Sequence, residues 1–377
     1  MTDHHEVAAL FTEAFGVPPA GVWSAPGRVN LIGEHTDYTG GFVMPYAIGH
    51  RAWVAARPRA DGQIRAIARD RGVEQVQPDD VQRGHPADWL GYLAGAAHVA
   101  DADHGWDLAL ASDVPIGAGL SSSAAITCAT LLAINDVTEW GMDRRDLALL
   151  AQRVEHEIIG MPCGIMDQTA SLLCMADHFL MLDTRSLQHV HVPWDGPEHG
   201  LVLLVTDTRA PHVLADGQYA ERRRLCEEAT LILGVSQLRD ADIALVEAAE
   251  GRLTADQMAC ARYVVSENSR VLRARDLLEV GRPDEIGPLL TASHAGLRDD
   301  FRVTIPPLDV AVDAALQAGA LGARMIGGGF GGSTLALIEQ SRATQVQLAI
   351  DRAFAGEGFT PPQHLMTTPE GGARRDA

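Results

Sequence analysis

The chain has 377 residues, with 50 acidic and 30 basic side chains and a formal net charge of −20. That balance speaks against nucleic acid or an anionic membrane surface as a partner, because both call for clustered cations; a nucleotide, held locally by a few groups, stays open. All 30 cations are arginine, which excludes a Walker-type Gly-Lys loop, a protein-kinase strand lysine and a Schiff-base lysine.

Apolar content of 46% and charged content of 21% are those of an ordinary globular protein. The length predicts two domains, 1–198 and 199–377, divided in the turn-rich stretch Asp195 to Gly200. The five cysteines, Cys128, Cys163, Cys174, Cys226 and Cys260, form no Cys-x-x-Cys pair. With a polar start at Met1 to His5 and no apolar run near the length of a membrane span, they predict a reduced, cytoplasmic protein.

In chain order, residues 3–15 form an amphipathic pattern with Val7, Leu10, Phe11 and Phe15 on one face. Trp23 to Gly41 mixes polar residues with glycine at a density unlike a core strand or a solvated face. Phe42 to Ile48, Ala52 to Ala56 and Gln63 to Ala68 read as strands, the last after an Asp61-Gly62 turn signal. Trp89 to Ala100 reads as a helix and Trp106 to Ser112 as a strand. That strand feeds Asp113 to Ala125, DVPIGAGLSSSAA, a glycine-rich loop running into a helix through Ile134.

Gly117 and Gly119 let a ligand approach this backbone, and Ser121 to Ser123 suit a helix start whose hydroxyls cap free N–H groups. Such a start is an anion site or simply a tight strand-to-helix turn. Asp143 to Ile159 has helical spacing and stops at Gly160 to Pro162. Val190 to Pro193 and Leu201 to Asp207 read as strands. The second half is mostly helical to Val280, with a further helix at Leu308 to Ala318 and a strand at Thr334 to Glu339. Thr367 to Ala377 reads as a loose polar tail. Gly327 to Gly332, GGGFGG, matches G-x-G-x-x-G by letter. Read as following a helix and preceding a strand, it lacks the context of a dinucleotide fingerprint.

Four stretches together closely resemble the galactokinases of the GHMP small-molecule kinase superfamily. They are Pro26 to Tyr38 (PGRVNLIGEHTDY), Pro115 to Ala125, Gly160 to Gln168 (GMPCGIMDQ) and Gly327 to Gly332. The resemblance implies an α+β, two-domain GHMP kinase fold with the active site in the cleft between the domains. It implies phosphoryl transfer from ATP to the anomeric hydroxyl of galactose with Mg2+, and a monomer. Gly117, Ala118, Gly119, Leu120, Ser121, Ser122 and Ser123 would wrap the ATP phosphates, mainly with backbone N–H groups. Ser123 and Glu155 would hold Mg2+. Trp89 would lie near the adenine, or is a core or surface aromatic.

By the same resemblance, Glu34, His35 and Asp37 would grip sugar hydroxyls, Gly164 would give a backbone contact and Tyr219 a phenol contact. Asp167 would be the base and Arg28 the cation beside it. An arginine at that place makes a carboxylate a poorer base but stabilises developing charge. Asp167 as true base or electrostatic positioner stays open. One position departs from the family: Thr39 stands where asparagine is usual, so sugar preference is a question. A kinase of a related sugar, N-acetylgalactosamine or arabinose, is one alternative. A non-catalytic galactose sensor is another, but in such relatives the serine-alanine segment is shortened, and here Ser121 to Ala125 is complete.

Overall fold

The computed structural model describes residues 3–69, 71–100, 104–210 and 215–377. The first two residues of the polar start therefore lie outside the described residues. The strands are β1 (Gly21–Asn30), β2 (Phe42–Val43), β3 (Pro45–Arg59), β4 (Ile64–Ala68), β5 (Glu74–Val76), β6 (Gly105–Ser112), β7 (His178–Asp183), β8 (His189–Pro193), β9 (Leu201–Asp207), β10 (Gly322–Ile326), β11 (Ser333–Glu339), β12 (Gln363–Thr367) and β13 (Arg374–Arg375). They form a six-stranded sheet ordered β13-β1-β3-β6-β4-β5, a four-stranded sheet ordered β10-β11-β9-β12 and a small sheet β2-β7-β8. Pairing is antiparallel except between β4 and β6. The fold is α+β, as expected.

Alternation along β3 shows how the large sheet buries both faces. Trp53 and Ala55 pack with Val7 and Phe11 of the His4–Phe15 helix. Ala52, Val54 and Ala56 point the other way, into the main core, as a period of two requires. The helices Ser122–Val137 and Met166–Leu173 cover that second face against β1 and β3. In the four-stranded sheet, Leu203, Val205, Leu335 and Leu337 join the same main core. Leu204, Ala336 and Ile338 face the helices Pro306–Gln317 and Ala343–Glu357 instead.

Several expectations change. Residues 45–59 make one unbroken strand, because its central residues pair with β1 and β6 on either side. The helix expected through Ile159 turns π-helical at Val154–Ile159 before ending on left-handed Gly160. The GGGFGG loop follows strand β10, not a helix, and closes the antiparallel β10–β11 hairpin, so a dinucleotide fold is excluded on topology. The tail is not loose. β13 pairs with β1, and buried Arg51 donates to the carbonyls of Gly371 at 3.0 Å and Gly372 at 2.8 Å.

Candidate active site

Against expectation, the first half of the polar stretch, Trp23 to Asn30, is core strand, buried throughout as part of β1; residues 31–41 form the loop between β1 and β2. The Thr36 hydroxyl ties it internally, 2.8 Å from the Gly33 carbonyl and 2.7 Å from that of Phe42. Glu34, His35 and Asp37 are thereby set along one wall of a cleft of about 220 Å³. Glu34 is buried and accepts the Gly327 N–H at 2.9 Å. Burial raises its pKa, opposed by the charges of Arg324 and Arg28. Arg324, wholly buried on β10, lies 3.5 Å from the Glu34 carboxylate.

His35 holds left-handed backbone, with φ of 60°. Burial pushes its pKa down to about 3, so the ring is neutral at physiological pH. Nε2 lies 3.2 Å from the Gly328 carbonyl and must donate there. Nδ1 then accepts from the Tyr38 hydroxyl at 2.9 Å. Both nitrogens meet protein partners, so His35 contributes to the cleft through its ring, packed near Tyr219 and Phe301. Asp37 is pushed up to about 7 by burial and then by the charge of Asp167. Near neutrality it can either donate or accept a hydrogen bond.

Opposite this wall, Met166 and Asp167 open the Met166–Leu173 helix. The Met166 N–H reaches Asp37 Oδ2 at 3.4 Å. A Cβ on Gly164 would fall 1.7 Å from that oxygen, which explains glycine at this place. Arg28, on β1, donates to both oxygens of Asp167, Nε at 2.8 Å and Nη2 at 2.7 Å. Such a two-point fork fixes orientation as well as charge. Tyr219, on the Ala215–Leu233 helix, closes the cleft beside Gly328.

The DVPIGAGLSSSAA loop meets the same pair from the other side. Its carbonyls are tied back in succession. Ser333 Oγ donates to Ala118 at 2.7 Å, Arg28 Nη1 to Gly119 at 2.7 Å, and the Arg28 N–H to Leu120 at 3.1 Å. A trans peptide points its N–H away from its C=O, so the amides of Gly119, Leu120 and Ser121 turn the opposite way. A second hollow of about 270 Å³ is lined by Gly117, Gly119 and Leu120 to Ser123, together with Arg28 and Asp167. Ala118 itself is buried beneath it.

Ser121 does not cap the helix as expected. It sits in left-handed backbone with no side-chain cap, and its hydroxyl donates to Asp167 Oδ2 at 2.5 Å. Glu155, on the π-helical turn, is buried and pushed up to about 7 by burial, with the Ser123 hydroxyl as its hydrogen-bond donor. Among the described residues no arginine pairs with it. Trp89 lines neither hollow; it is half-buried against the main core. Thr39 is also outside the cleft, its hydroxyl donating to the Thr36 carbonyl at 3.0 Å. Arg324, Met161, Cys163, Met166 and Phe330 were not expected at this site, yet all but Arg324 line the cleft and Arg324 backs its carboxylate wall.

Comparison with known proteins agrees with this geometry. Residues 9–58 match the galactokinase galactose-binding signature, 91–174 the GHMP kinase N-terminal domain and 274–356 the GHMP kinase C-terminal domain. Over 98% of this chain and 97% of the relative, it is 46% identical to the galactokinase of Streptomyces coelicolor. It is 41% identical to the galactokinase of Mycobacterium tuberculosis over 93% of this chain and 98% of that one. The crystal structure of Lactococcus lactis galactokinase complexed with galactose superposes with a TM-score of 0.93 at 29% identity, covering 98% of this chain and 99% of that one. Methanococcus jannaschii mevalonate kinase shares the fold alone, with a TM-score of 0.67 at 17% identity over 93% and 98% of the two chains. The chain belongs to the galactokinase family of the GHMP kinases.

Proposed function

We propose that the protein transfers the γ-phosphoryl group of ATP to the anomeric hydroxyl of galactose. The observation that carries this reading is that one ion pair, Arg28–Asp167, forms part of the lining of both the carboxylate-walled cleft and the glycine-loop hollow. Galactose in the first and the ATP phosphates in the second would meet at that pair. Glu34 and Asp37 would take sugar hydroxyls, while Gly164 would leave the room that Asp37 needs. A site built from such polar groups rejects a sugar lacking the matching hydroxyl, since its own groups are then left unpaired. Tyr219 and the His35 ring would close over the sugar.

The amides of the second loop would cradle phosphate oxygens in place of a lysine. Asp167 would hold the reacting hydroxyl, with Arg28 and Ser121 fixing its two oxygens and Arg28 balancing the charge that develops on transfer. Glu155 with Ser123 suits Mg2+: a buried carboxylate with no arginine, beside a hydroxyl and the phosphate loop, offers the hard oxygen ligands that ion takes. When bound there, Mg2+ would neutralise phosphate charge. The division into domains 1–198 and 199–377, a monomeric state and a cytoplasmic location belong to the same proposal. No described helix is long and apolar enough to cross a membrane.

The test is ADP release from ATP and Mg2+ over a panel of galactose, glucose, N-acetylgalactosamine, arabinose and no sugar. Turnover with galactose above the rest is expected. Turnover with another sugar alone overturns the substrate; binding of galactose and ATP with no ADP released overturns catalysis in favour of a sensor.

A further inference from the structure

The loop carrying Glu34, His35 and Asp37 is held from behind by one face of a helix that lies outside the cleft. In the helix Ala255–Glu279, Tyr263, Glu267 and Asn268 stand at i, i+4 and i+5 and are buried, Tyr263 and Glu267 completely. The Tyr263 hydroxyl donates to the Glu34 carbonyl at 3.0 Å. Glu267 Oε1 accepts the Gly33 N–H at 3.0 Å and the Ser293 hydroxyl at 2.7 Å, while Arg270 neutralises its other oxygen at 2.7 Å. Asn268 Oδ1 accepts the Phe42 N–H at 2.8 Å, and its amide is fixed by the Val264 carbonyl at 2.9 Å. The start of the loop and its end are thus pinned to one rigid element.

The pinning is tight enough to dictate glycine at both ends. A Cβ on Gly33 would lie 2.6 Å from the Phe42 carbonyl, and one on Gly41 would lie 2.4 Å from Asn268 Oδ1. Apolar residues of the same volume stabilise a core as well as a buried charged set, or better. What this polar set adds is a fixed register for the backbone between its anchors, which is the stretch that presents the carboxylates to the cleft.

We propose that Tyr263, Glu267 and Asn268 are positioning residues for the sugar pocket, acting through the backbone of residues 33–42. This rests on the galactokinase reading and deepens it. Steady-state kinetics on the full chain, with melting temperature measured alongside, provide the test. Tyr263→Phe deletes one hydroxyl and keeps the packing; it is expected to raise the galactose KM roughly three- to tenfold, with the ATP KM unchanged. Glu267→Ala is expected to raise the galactose KM further, and Glu267→Gln, which keeps an acceptor for Gly33, to recover most of that loss. Discrimination between galactose and 2-deoxygalactose is expected to narrow in Tyr263→Phe and Glu267→Ala.

A melting point that falls while the galactose KM stays put would make these residues structural only, and an equal rise in both KM values would do the same. Should Glu267→Ala fail to fold, Tyr263→Phe still decides. A wild type silent with galactose overturns the function reading; an active wild type whose variants keep its KM overturns this inference.

Discussion

Arg28 and Asp167, 139 positions apart in the chain, meet in one fork, with bonds of 2.8 and 2.7 Å. A third guanidinium nitrogen holds the Gly119 carbonyl at 2.7 Å, so the cation also braces the glycine loop. Asp167→Asn keeps the shape but sets an amide against Arg28 and removes the carboxylate that would hold the reacting hydroxyl. Turnover is expected to fall by about two to four orders of magnitude. ATP binding, measured by titration, is expected to persist, because the loop carbonyls of Ala118, Gly119 and Leu120 stay tied to Ser333 and Arg28, and asparagine keeps an acceptor for the Ser121 hydroxyl. Loss of nucleotide binding would move Asp167 out of its assigned role.

Glu155 gives a pH dependence with a defined sign. Its pKa is raised from the ordinary 4.5 to about 7, so protons compete with a cation throughout the neutral range. The Mg2+ concentration for half-activation is expected to rise roughly tenfold from pH 8 to pH 6. Ser123→Ala removes the donor that favours the ionised form, and is expected to raise the requirement at pH 8 as well. The sign for stability follows from the same shift. The folded state binds this proton more tightly than the unfolded one, so the metal-free protein loses stability as pH climbs from about 4.5 towards 7. Glu155→Gln is expected to flatten that slope in thermal melts. An unchanged Mg2+ dependence in Ser123→Ala would remove Ser123 from the metal site.

How much of this was legible in the sequence can be read from individual residues. Arg28, Glu34, Asp37 and Asp167 stood out through resemblance; no spacing connects residue 28 to residue 167. Leu147, Leu150, Val154 and Ile158 were readable by period, and all four are buried. Arg324 has no such pattern, because nothing local to GARMI marks Glu34, far away in the chain, as its neighbour. Glu267 has no local signature either, since burial by a distant loop leaves no pattern in the helix sequence. Strand β10 has a related difficulty: the four residues between Gly322 and Gly327 carry too little alternation to read as a strand. Ser121 followed the rule for helix starts, but the tertiary pull of Asp167 outweighed capping.

Gly164 tests the cleft by volume alone. Its missing side chain is the space in which Asp37 Oδ2 sits, since a Cβ would approach to 1.7 Å. Gly164→Ala must displace either Asp37 or the loop from Gly160. The galactose KM is expected to rise by about tenfold or more, as a displaced carboxylate loses a hydrogen bond made by a charged or buried group. The ATP KM is expected to hold, because Gly164 lines only the first hollow. A parallel loss of ATP affinity would show that the two hollows respond as one.

Arg51 separates stability from the site. Its side chain holds Ser24 Oγ at 2.9 Å and the tail carbonyls of Gly371 and Gly372 at 3.0 and 2.8 Å. Its backbone, on a different errand, takes Asp113 at the start of the glycine loop, with the Arg51 N–H on Asp113 Oδ1 at 2.7 Å. Arg51→Met leaves those backbone bonds in place and strands the buried Gly372 carbonyl and the part-buried Gly371 carbonyl. A destabilisation of about 2–4 kcal/mol is expected in denaturant titration, the range for leaving buried polar partners unmet. Both KM values are expected to stay within about twofold, since a global loss of this size leaves the folded population nearly complete. A selective rise in the ATP KM would mean instead that the tail reaches the glycine loop through Arg51 and Asp113, making β13 part of the nucleotide site rather than a clasp on the sheet.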